Sequence, residues 1–188
     1  NKDAVNELSI ISKKIKKKCK AENKKMAVIL FKEFWKKNDT YSSFFKKNKY
    51  REFMIDVNMI VPIHPKWKNW DDYIFSMKTK YRTRAKSVFK KSKEITISSL
   101  SSEEILKNDG VINTLFTNVL AKSNFSFGKI TAEAFAKQKE NLGDNFSFRA
   151  IFLDEKMIGF STAFFNHNIL EANYVGIDYD HNYDKAIY

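Results

Sequence analysis

The stretch FRAIFLDEKMIGFSTAFFNHNILEANYVGIDYDHNYDKAIY, residues 148–188, decides the fold class of this chain. It continues an alternation of apolar and polar residues that begins at Phe146, and two further apolar runs, 157–165 and 169–178, follow. Short polar segments separate the three runs. Because connections this tight join neighbouring antiparallel strands, the sequence predicts a three-stranded antiparallel meander.

The third run contains an acidic residue, Glu171, beside the apolar residues Leu170 and Ala172. A carboxyl group on a sheet face that is partly shielded from water has a raised pKa and can act as a general base. The alternative is that Glu171 points to solvent on the opposite face of the strand. Both interpretations stay open at this point.

The third run ends at Gly176 and Ile177, and Asp178 and Tyr179 follow it. A helix is expected to begin near residues 182–184. Where a strand end precedes a helix start, free backbone N–H groups are able to bind phosphate or pyrophosphate. The junction between this strand and the following helix is therefore a candidate phosphate-binding site, although it contains no glycine-rich loop.

Upstream of the meander, residues 70–92 predict one long amphipathic helix capped by Asn69. Between Lys78 and Lys93 there are eight basic residues and no acidic one. These cations flank the apolar stripe on both sides, so the helix would bury the stripe and present two basic ridges. A solvated surface is the simpler interpretation, and an anion-binding surface is the functional one.

The remaining sequence predicts shorter elements of both types. Apolar periodicity places Val5, Leu8, Ile11, Ile15 and Cys19 on one stripe of a helix over residues 3–22. We expect strands at 26–31, 53–61 and 94–99, and helices at 101–122 and 131–141. Two prolines make residues 62–69 the best candidate domain boundary.

Composition excludes several classes of protein. Of 188 residues, 43% are hydrophobic, which is enough for a packed core, and the single cysteine excludes a disulfide framework. No apolar run reaches the ~20 residues of a membrane span, and His64, His167 and His181 lack metal-ligand spacing. The net charge of +12 indicates an anionic partner.

The order of elements resembles the acetyltransferase (GNAT) superfamily, and within it the bacterial Fem-like, peptidoglycan-biosynthesis branch. The basic helix WDDYIFSMKTKYRTRAKSVFKKS, two further helices and the meander carry the resemblance over residues 66–188. It implies an α+β fold, a three-layer arrangement with a mixed, largely antiparallel sheet flanked by helices. Residues 1–65 would be the C-terminal part of a first GNAT-like half, and 66–188 the N-terminal part of a second, truncated half.

The resemblance also implies a reaction, in which an amine attacks the carbonyl group of an activated acyl donor. The donor would be acyl-CoA, as a co-substrate that is not tightly bound, or aminoacyl-tRNA. We expect Glu171 to be the base, with Asp178 as its substitute, and backbone donors near Gly176 and Ile177 to hold the carbonyl oxygen. Tyr179 or Tyr188 would protonate the leaving group. The predicted phosphate-binding cations are Lys80, Arg82 and Arg84.

Other functions are compatible with the same sequence. The basic helix would suit a nucleic-acid-binding protein without catalysis or attachment to an anionic membrane surface, and the lysines would otherwise only solubilise a phenylalanine-rich core. No metal site is expected. One unpaired cysteine and the absence of an export signature predict a cytoplasmic location.

Overall fold

The structure is a computed structural model that describes residues 2–26, 28–31, 41–53, 59–123, 126 and 128–187. The chain divides into two compact units, unit 1 (Asn1–Pro62) and unit 2 (Ile63–Tyr188).

Unit 1 begins with a long helix, α1 (Lys2–Ala21), as the sequence predicts. The helix ends where Asn23 adopts a left-handed backbone conformation with φ 52°. There the N–H of Lys24 donates to the carbonyl of Cys19 over 2.8 Å, and the N–H of Asn23 donates to Lys20. This pair of hydrogen bonds is a Schellman motif, and asparagine is one of the residues that accept the conformation it needs.

The inward face of α1 differs from the prediction. Val5, Ser9 and Ser12 are buried, whereas Ile11 and Ile15 of the predicted apolar stripe are 46% and 49% exposed. The buried face is rotated about the helix axis from the centre of the predicted apolar stripe and overlaps that stripe at Val5, and this partly polar face is the one that packs.

A second short helix, α2 (Ser42–Lys47), completes the helical part of unit 1. The ring of Phe45 lies 5.3–5.7 Å from the rings of Phe31, Phe44 and Tyr50, a small aromatic cluster. The strand predicted at 26–31 is wrong, because its described residues have no regular structure and Val28 is 61% exposed. Of the strand predicted at 53–61, residues 54–58 lie outside the described residues and the flanking ones are not in a strand.

Among its described residues, unit 2 contains ten α-helices and β-strands. They are α3 (Trp70–Ser76), α4 (Thr79–Lys91), β1 (Ile95–Ser99), α5 (Ser102–Lys107), α6 (Asp109–Lys122), α7 (Ala132–Leu142), β2 (Phe146–Leu153), β3 (Lys156–Asn166), β4 (Ile169–Ile177) and α8 (Asn182–Lys185).

The predicted meander is confirmed. Four strands pair antiparallel in the order β1-β2-β3-β4. Asp154 and Glu155, with φ of 46° and 64°, form the two-residue turn between β2 and β3. His167, with φ 53°, begins the equally short turn between β3 and β4. Positive φ in such loops matches the twist of the strands that they join.

Helices α6 and α7 cover one face of this sheet. Phe135 of α7 is fully buried, and its ring lies 5.6 Å from the rings of Phe148 and Phe160 on the sheet. Phe116 of α6 packs against Phe135 and Tyr174. The fold class predicted from the sequence, an α+β fold with an antiparallel sheet flanked by helices, is confirmed.

Two long predicted helices are each broken in two. Between α3 and α4, Met77 and Lys78 have extended backbones, and the ring of Trp70 lies 5.7 Å from that of Phe89. In one straight helix these residues would stand ~28 Å apart, so the break folds α3 back along α4. Between α5 and α6, the side chain of Asn108 donates to the carbonyl of Glu104 and competes with the helical hydrogen bonds.

Candidate active site

Strand β4 lies at one end of the strand order, so its outer edge pairs with no other strand of the described residues. In the middle of the strand the register with β3 shifts between Ser161 and Ala163. At that bulge the buried hydroxyl of Thr162 accepts from the N–H of Tyr174 over 2.9 Å. Bulges often occur next to active sites, because they redirect side chains and backbone groups.

Beyond the bulge, two glycines keep β3 and β4 close to their neighbours. A Cβ on Gly176 would lie 2.1 Å from the ring of Phe160, so this position admits only hydrogen. A Cβ on Gly159 would lie 3.2 Å from the side chain of Ile187, which packs on the sheet face opposite α6 and α7. The end of β4 is therefore fixed by close packing on both faces.

The last residue of β4 turns its backbone outward. The N–H of Asp178 donates to the carbonyl of Ile158 in β3 over 2.8 Å. Because successive residues direct their backbone groups alternately to the two sides of a strand, Ile177 directs its own to the outer edge. There the side chain of Asn118 in α6 donates to its carbonyl over 3.1 Å. The N–H of Ile177 faces the same edge.

Three polar side chains meet where β4 ends. The carboxylate of Asp178, 19% exposed, lies 3.2 Å from the ammonium group of Lys156 and 4.0 Å from Nε2 of His181. The same carboxylate accepts a hydrogen bond from the N–H of Asp180 and caps a one-turn 3₁₀ helix, Tyr179–His181. This turn places His181, 28% exposed, beside Asp178. A carboxylate beside an imidazole is an arrangement suited to proton transfer.

The residues after β4 are held by several contacts. The ammonium group of Lys122 lies 3.7 Å above the ring of Tyr179, and that of Lys91 donates to the carbonyl of Tyr183 over 2.7 Å. Lys185 donates to Glu94, and this hydrogen bond raises the pKa of the lysine above its ordinary value. The segment that follows β4 is thereby joined to α4 and to the start of β1.

The structure separates the two predicted bases. Glu171 is exposed, opposite Phe164 near the turn between β3 and β4. Asp178 lies seven residues further on, ~23 Å away in an extended strand. The structure therefore places Asp178, Tyr179 and the end of β4 together, and Glu171 at the other end of the strand.

The predicted phosphate-binding residues lie in the first turns of α4. Lys80 and Arg84 are exposed, while Arg82 is half-buried and donates to the carbonyl of Met77 over 3.3 Å. Lys91, which contacts the segment after β4, is eleven residues beyond Lys80, or ~16 Å along the helix. Tyr188, the second predicted acid, lies outside the described residues.

His181 is the functional candidate that sequence reasoning missed. The sequence shows three scattered histidines, and only the fold distinguishes the third. The signal that was available is the spacing Asp178-x-x-His181 directly after a strand, since one helical turn brings such a pair together.

Two further properties of the described residues bear on function. No helix in this part of the chain is long and apolar enough to cross a membrane. Across the same residues, no group of three or more histidine, cysteine, aspartate and glutamate side chains is placed to hold a metal ion.

Comparisons with known proteins found only distant likeness. No protein-family model matches the chain, and no curated protein matches it. Among solved structures, an aminoglycoside acetyltransferase from an uncultured soil metagenomic sample, in complex with sisomicin, is similar with a TM-score of 0.35 and 19% identity. The same enzyme in complex with trehalose gives 0.34 and 19%. Each match covers 47% of this chain, which spans 59% of that acetyltransferase.

Proposed function

We propose that this chain takes part in acyl transfer, from an activated donor such as acyl-CoA to an amine, at the end of β4. One observation carries the proposal. A half-buried carboxylate–imidazole pair, Asp178 and His181, stands beside the outward N–H of Ile177 at the open edge of a strand. Acyl transfer to an amine needs a base, an oxyanion donor and a surface for the donor's arm, and these groups supply all three.

His181 is the base in this proposal, and Asp178 is its positioning residue. Histidine is suited to exchange a proton near neutral pH, and an adjacent carboxylate stabilises the charged imidazole. Asp178 is itself engaged by the ammonium group of Lys156. Glu171 remains the alternative base, and the experiment below distinguishes the two.

The edge of β4 would receive the donor. The pantetheine arm of CoA contains amide groups, and an open strand edge offers N–H and C=O groups that pair with amides. A carbonyl held at the end of the strand would find the N–H of Ile177, whose contribution grows as the oxygen becomes negative. The backbone groups of Gly176 face β3. This position needs a residue without a side chain, because any Cβ would clash with the ring of Phe160.

The chemical step has a simple proton balance. The amine loses a proton to His181, the C–N bond forms, and the C–S bond of a thioester breaks. The departing thiolate takes a proton from the hydroxyl of Tyr179, which regains one from solvent, and His181 releases the amine's proton to solvent. Phosphate groups of the donor would lie against Lys122 or, through a longer reach, against Lys80, Arg82 and Arg84 of α4.

The test is a donor and variant screen on the full chain. Acetyl-CoA and aminoacyl-tRNA are each offered with a panel of primary amines, and acylated product is measured by mass spectrometry. His181→Gln should lower kcat/KM by about 10²–10⁴ and remove the acidic limb of the pH–rate profile. Asp178→Asn should lower kcat by a smaller factor and alter the same limb. Glu171→Gln is the matched control and should keep full activity.

Two outcomes contradict parts of this proposal. If Glu171→Gln abolishes turnover while His181→Gln does not, the base is Glu171 and the pair at the end of β4 is structural. If the unaltered chain acylates no amine from either donor, and neither donor raises its melting temperature, the acyl-transfer function is wrong.

Nucleic-acid binding is a second candidate, and the surface of α4 favours it. Lys80, Arg84, Lys86 and Lys90 are exposed, and within the described part of the chain none lies within 4 Å of a carboxylate. Phosphate binding would make the logarithm of the affinity fall with that of salt concentration, by about 0.9 per phosphate on duplex DNA. A filter-binding titration that retains no RNA or DNA at low salt would exclude this candidate.

A further inference from the structure

Unit 1 contains a cleft that the proposed acyl transfer does not use. Its volume is roughly 400 Å³, which lies within the usual range of small-molecule sites. It is lined by the inner face of α1, by the turn after α2, and by Met26, Val28 and Ile29. The cleft lies within the Asn1–Pro62 unit.

Hydroxyl groups fix the base of this cleft. Ser12 donates to the carbonyl of Ser9 over 2.8 Å, and its oxygen lies 3.1 Å from the hydroxyl of Tyr50. Since the one proton of Ser12 is already donated, Tyr50 is the donor in the second bond. The two walls of the cleft, α1 and the turn after α2, are thereby tied together before any ligand arrives.

Three cations stand around that base. Lys13 and Lys16 come from one turn of α1, and Lys49 comes from the turn after α2. Throughout the described residues, none of the three has a carboxylate within 4 Å, and no acidic residue lines the cleft. The apolar part of the lining includes Val28 and Ile29. Three lysines that line one cleft without a counter-charge favour a multiply charged anion.

Lys49 occupies its place at a conformational cost. Its φ is 65°, in the left-handed region. The N–H of Tyr50 donates to Phe45 and that of Lys49 donates to Lys46, so Lys49 stands at the position of a Schellman motif where glycine is the usual residue. A lysine here gives up backbone stability and contributes a cation to the cleft.

We infer that this cleft binds a small phosphate monoester that carries an apolar body. A phosphate group offers about two negative charges and three acceptor oxygens, which match three ammonium groups. The apolar wall would cover the body of the ligand. A free carboxylate, with one charge, would leave part of the lysine charge uncompensated.

The experiment uses the full chain and measures binding by isothermal titration calorimetry. The probes are phenyl phosphate, inorganic phosphate and phenol. The triple variant Lys13→Gln, Lys16→Gln, Lys49→Gln is compared with Lys14→Gln, Lys17→Gln, Lys47→Gln, which removes the same charge from exposed positions of the same helices. Far-ultraviolet circular dichroism verifies that both variants keep their helices.

We expect phenyl phosphate to bind more tightly than inorganic phosphate, and phenol not to bind. The cleft variant should raise the Kd of phenyl phosphate by about tenfold or more, and the matched variant by less than about threefold. Lys49→Gly should weaken binding although it relieves the backbone.

Several results would overturn the inference. Equal losses in the two triple variants would mean that the ligand responds to the net charge of unit 1 and not to the cleft. Phenol binding as well as phenyl phosphate, or no binding of phenyl phosphate at millimolar concentration, would also refute it. So would binding only to phosphatidylcholine vesicles that contain phosphatidic acid, since the ligand would then be a membrane surface.

Discussion

The two units of this chain differ more in charge than in size. Unit 1 has 62 residues, with 16 basic against 7 acidic, a net charge of +9. Unit 2 has 126 residues, with 18 basic against 15 acidic, a net charge of +3. One third of the chain therefore carries three quarters of its net charge, which makes unit 1 the first candidate to bind an anionic partner.

The interiors of the two units differ in the opposite direction. In the described part of unit 1 the buried side chains are Val5, Ser9 and Ser12. Unit 2 buries a continuous cluster that includes four fully buried phenylalanines. A chain of ~60 residues can bury only a limited fraction of its surface, and in unit 1 part of the buried surface consists of hydroxyl groups.

The largest expected effect tests this difference in cores. Phe135→Ala, which removes a fully buried ring between α6, α7 and the sheet, should lower the free energy of unfolding of unit 2 by about 3–5 kcal/mol. Phe45→Ala removes the half-buried centre of the aromatic cluster in unit 1, and should cost that unit about 1–2 kcal/mol. Hydrogen exchange, followed peptide by peptide, measures each unit separately.

Equal costs for the two substitutions would contradict the comparison, because they would mean that both aromatic clusters are packed alike. Phe165→Ala on the sheet, where the ring is 43% exposed, is the control and should have a small effect.

The second prediction concerns the tightest contact near the proposed active site. Gly176→Ala places a methyl group 2.1 Å from the ring of Phe160 and should destabilise unit 2 by about 1–3 kcal/mol. Gly110→Ala, in α6 with nothing within 4 Å of the new Cβ, should stabilise the same unit by about 0.5–1 kcal/mol. A urea unfolding curve of Gly176→Ala that shifts to higher urea, as the curve of Gly110→Ala is expected to do, would show that Phe160 yields without cost.

The two units also differ in how far the sequence predicts them. The meander of unit 2 follows from three apolar runs and two short polar turns, all local signals. The breaks at Met77 and Asn108 carry no proline or glycine, so periodicity extends each helix through them. The break at Met77 accompanies a tertiary contact, that of Trp70 with Phe89, which a single sequence does not display, and the break at Asn108 accompanies the hydrogen bond from its side chain to Glu104.

In unit 1 the sequence misleads, because apolar periodicity is taken to mark the buried face. Ile11 and Ile15 satisfy the period and are exposed, while Ser9 and Ser12 pack inward. At the end of β4, alternation predicts the strand and Asp178, but it does not show that His181 returns to it. The location of the proposed base, His181, depends on the single turn of backbone at Tyr179–His181, which composition and residue spacing predict only in part.

A smaller effect is expected at Lys49, where unit 1 holds a lysine in the left-handed region. Lys49→Gly should raise the free energy of unfolding of unit 1 by about 0.5–1 kcal/mol, since glycine adopts this conformation without steric cost. Lys47→Gly, within α2, should instead lower it by about 1 kcal/mol. Thermal melts of the two variants should shift in opposite directions, and a loss of stability at both positions would refute the strain at Lys49.

The smallest expected effect compares two six-residue helices, α2 of unit 1 and α5 of unit 2. Helix α5 begins with a capping box, in which the N–H of Ser101 donates to Glu104 over 2.7 Å, whereas α2 has no side-chain cap. That backbone hydrogen bond, reinforced by the Ser101 hydroxyl, lowers the pKa of Glu104 below its ordinary value. A carboxyl group with a lowered pKa stabilises the folded state above its unfolded pKa, and this contribution is lost as the pH falls through the folded pKa.

Acidification should therefore open α5 as Glu104 becomes protonated, seen as faster exchange of its amides after correction for the intrinsic pH dependence. Glu104→Gln, which never carries the charge, should remove this pH dependence, and a pH dependence that survives the substitution would assign it to another group.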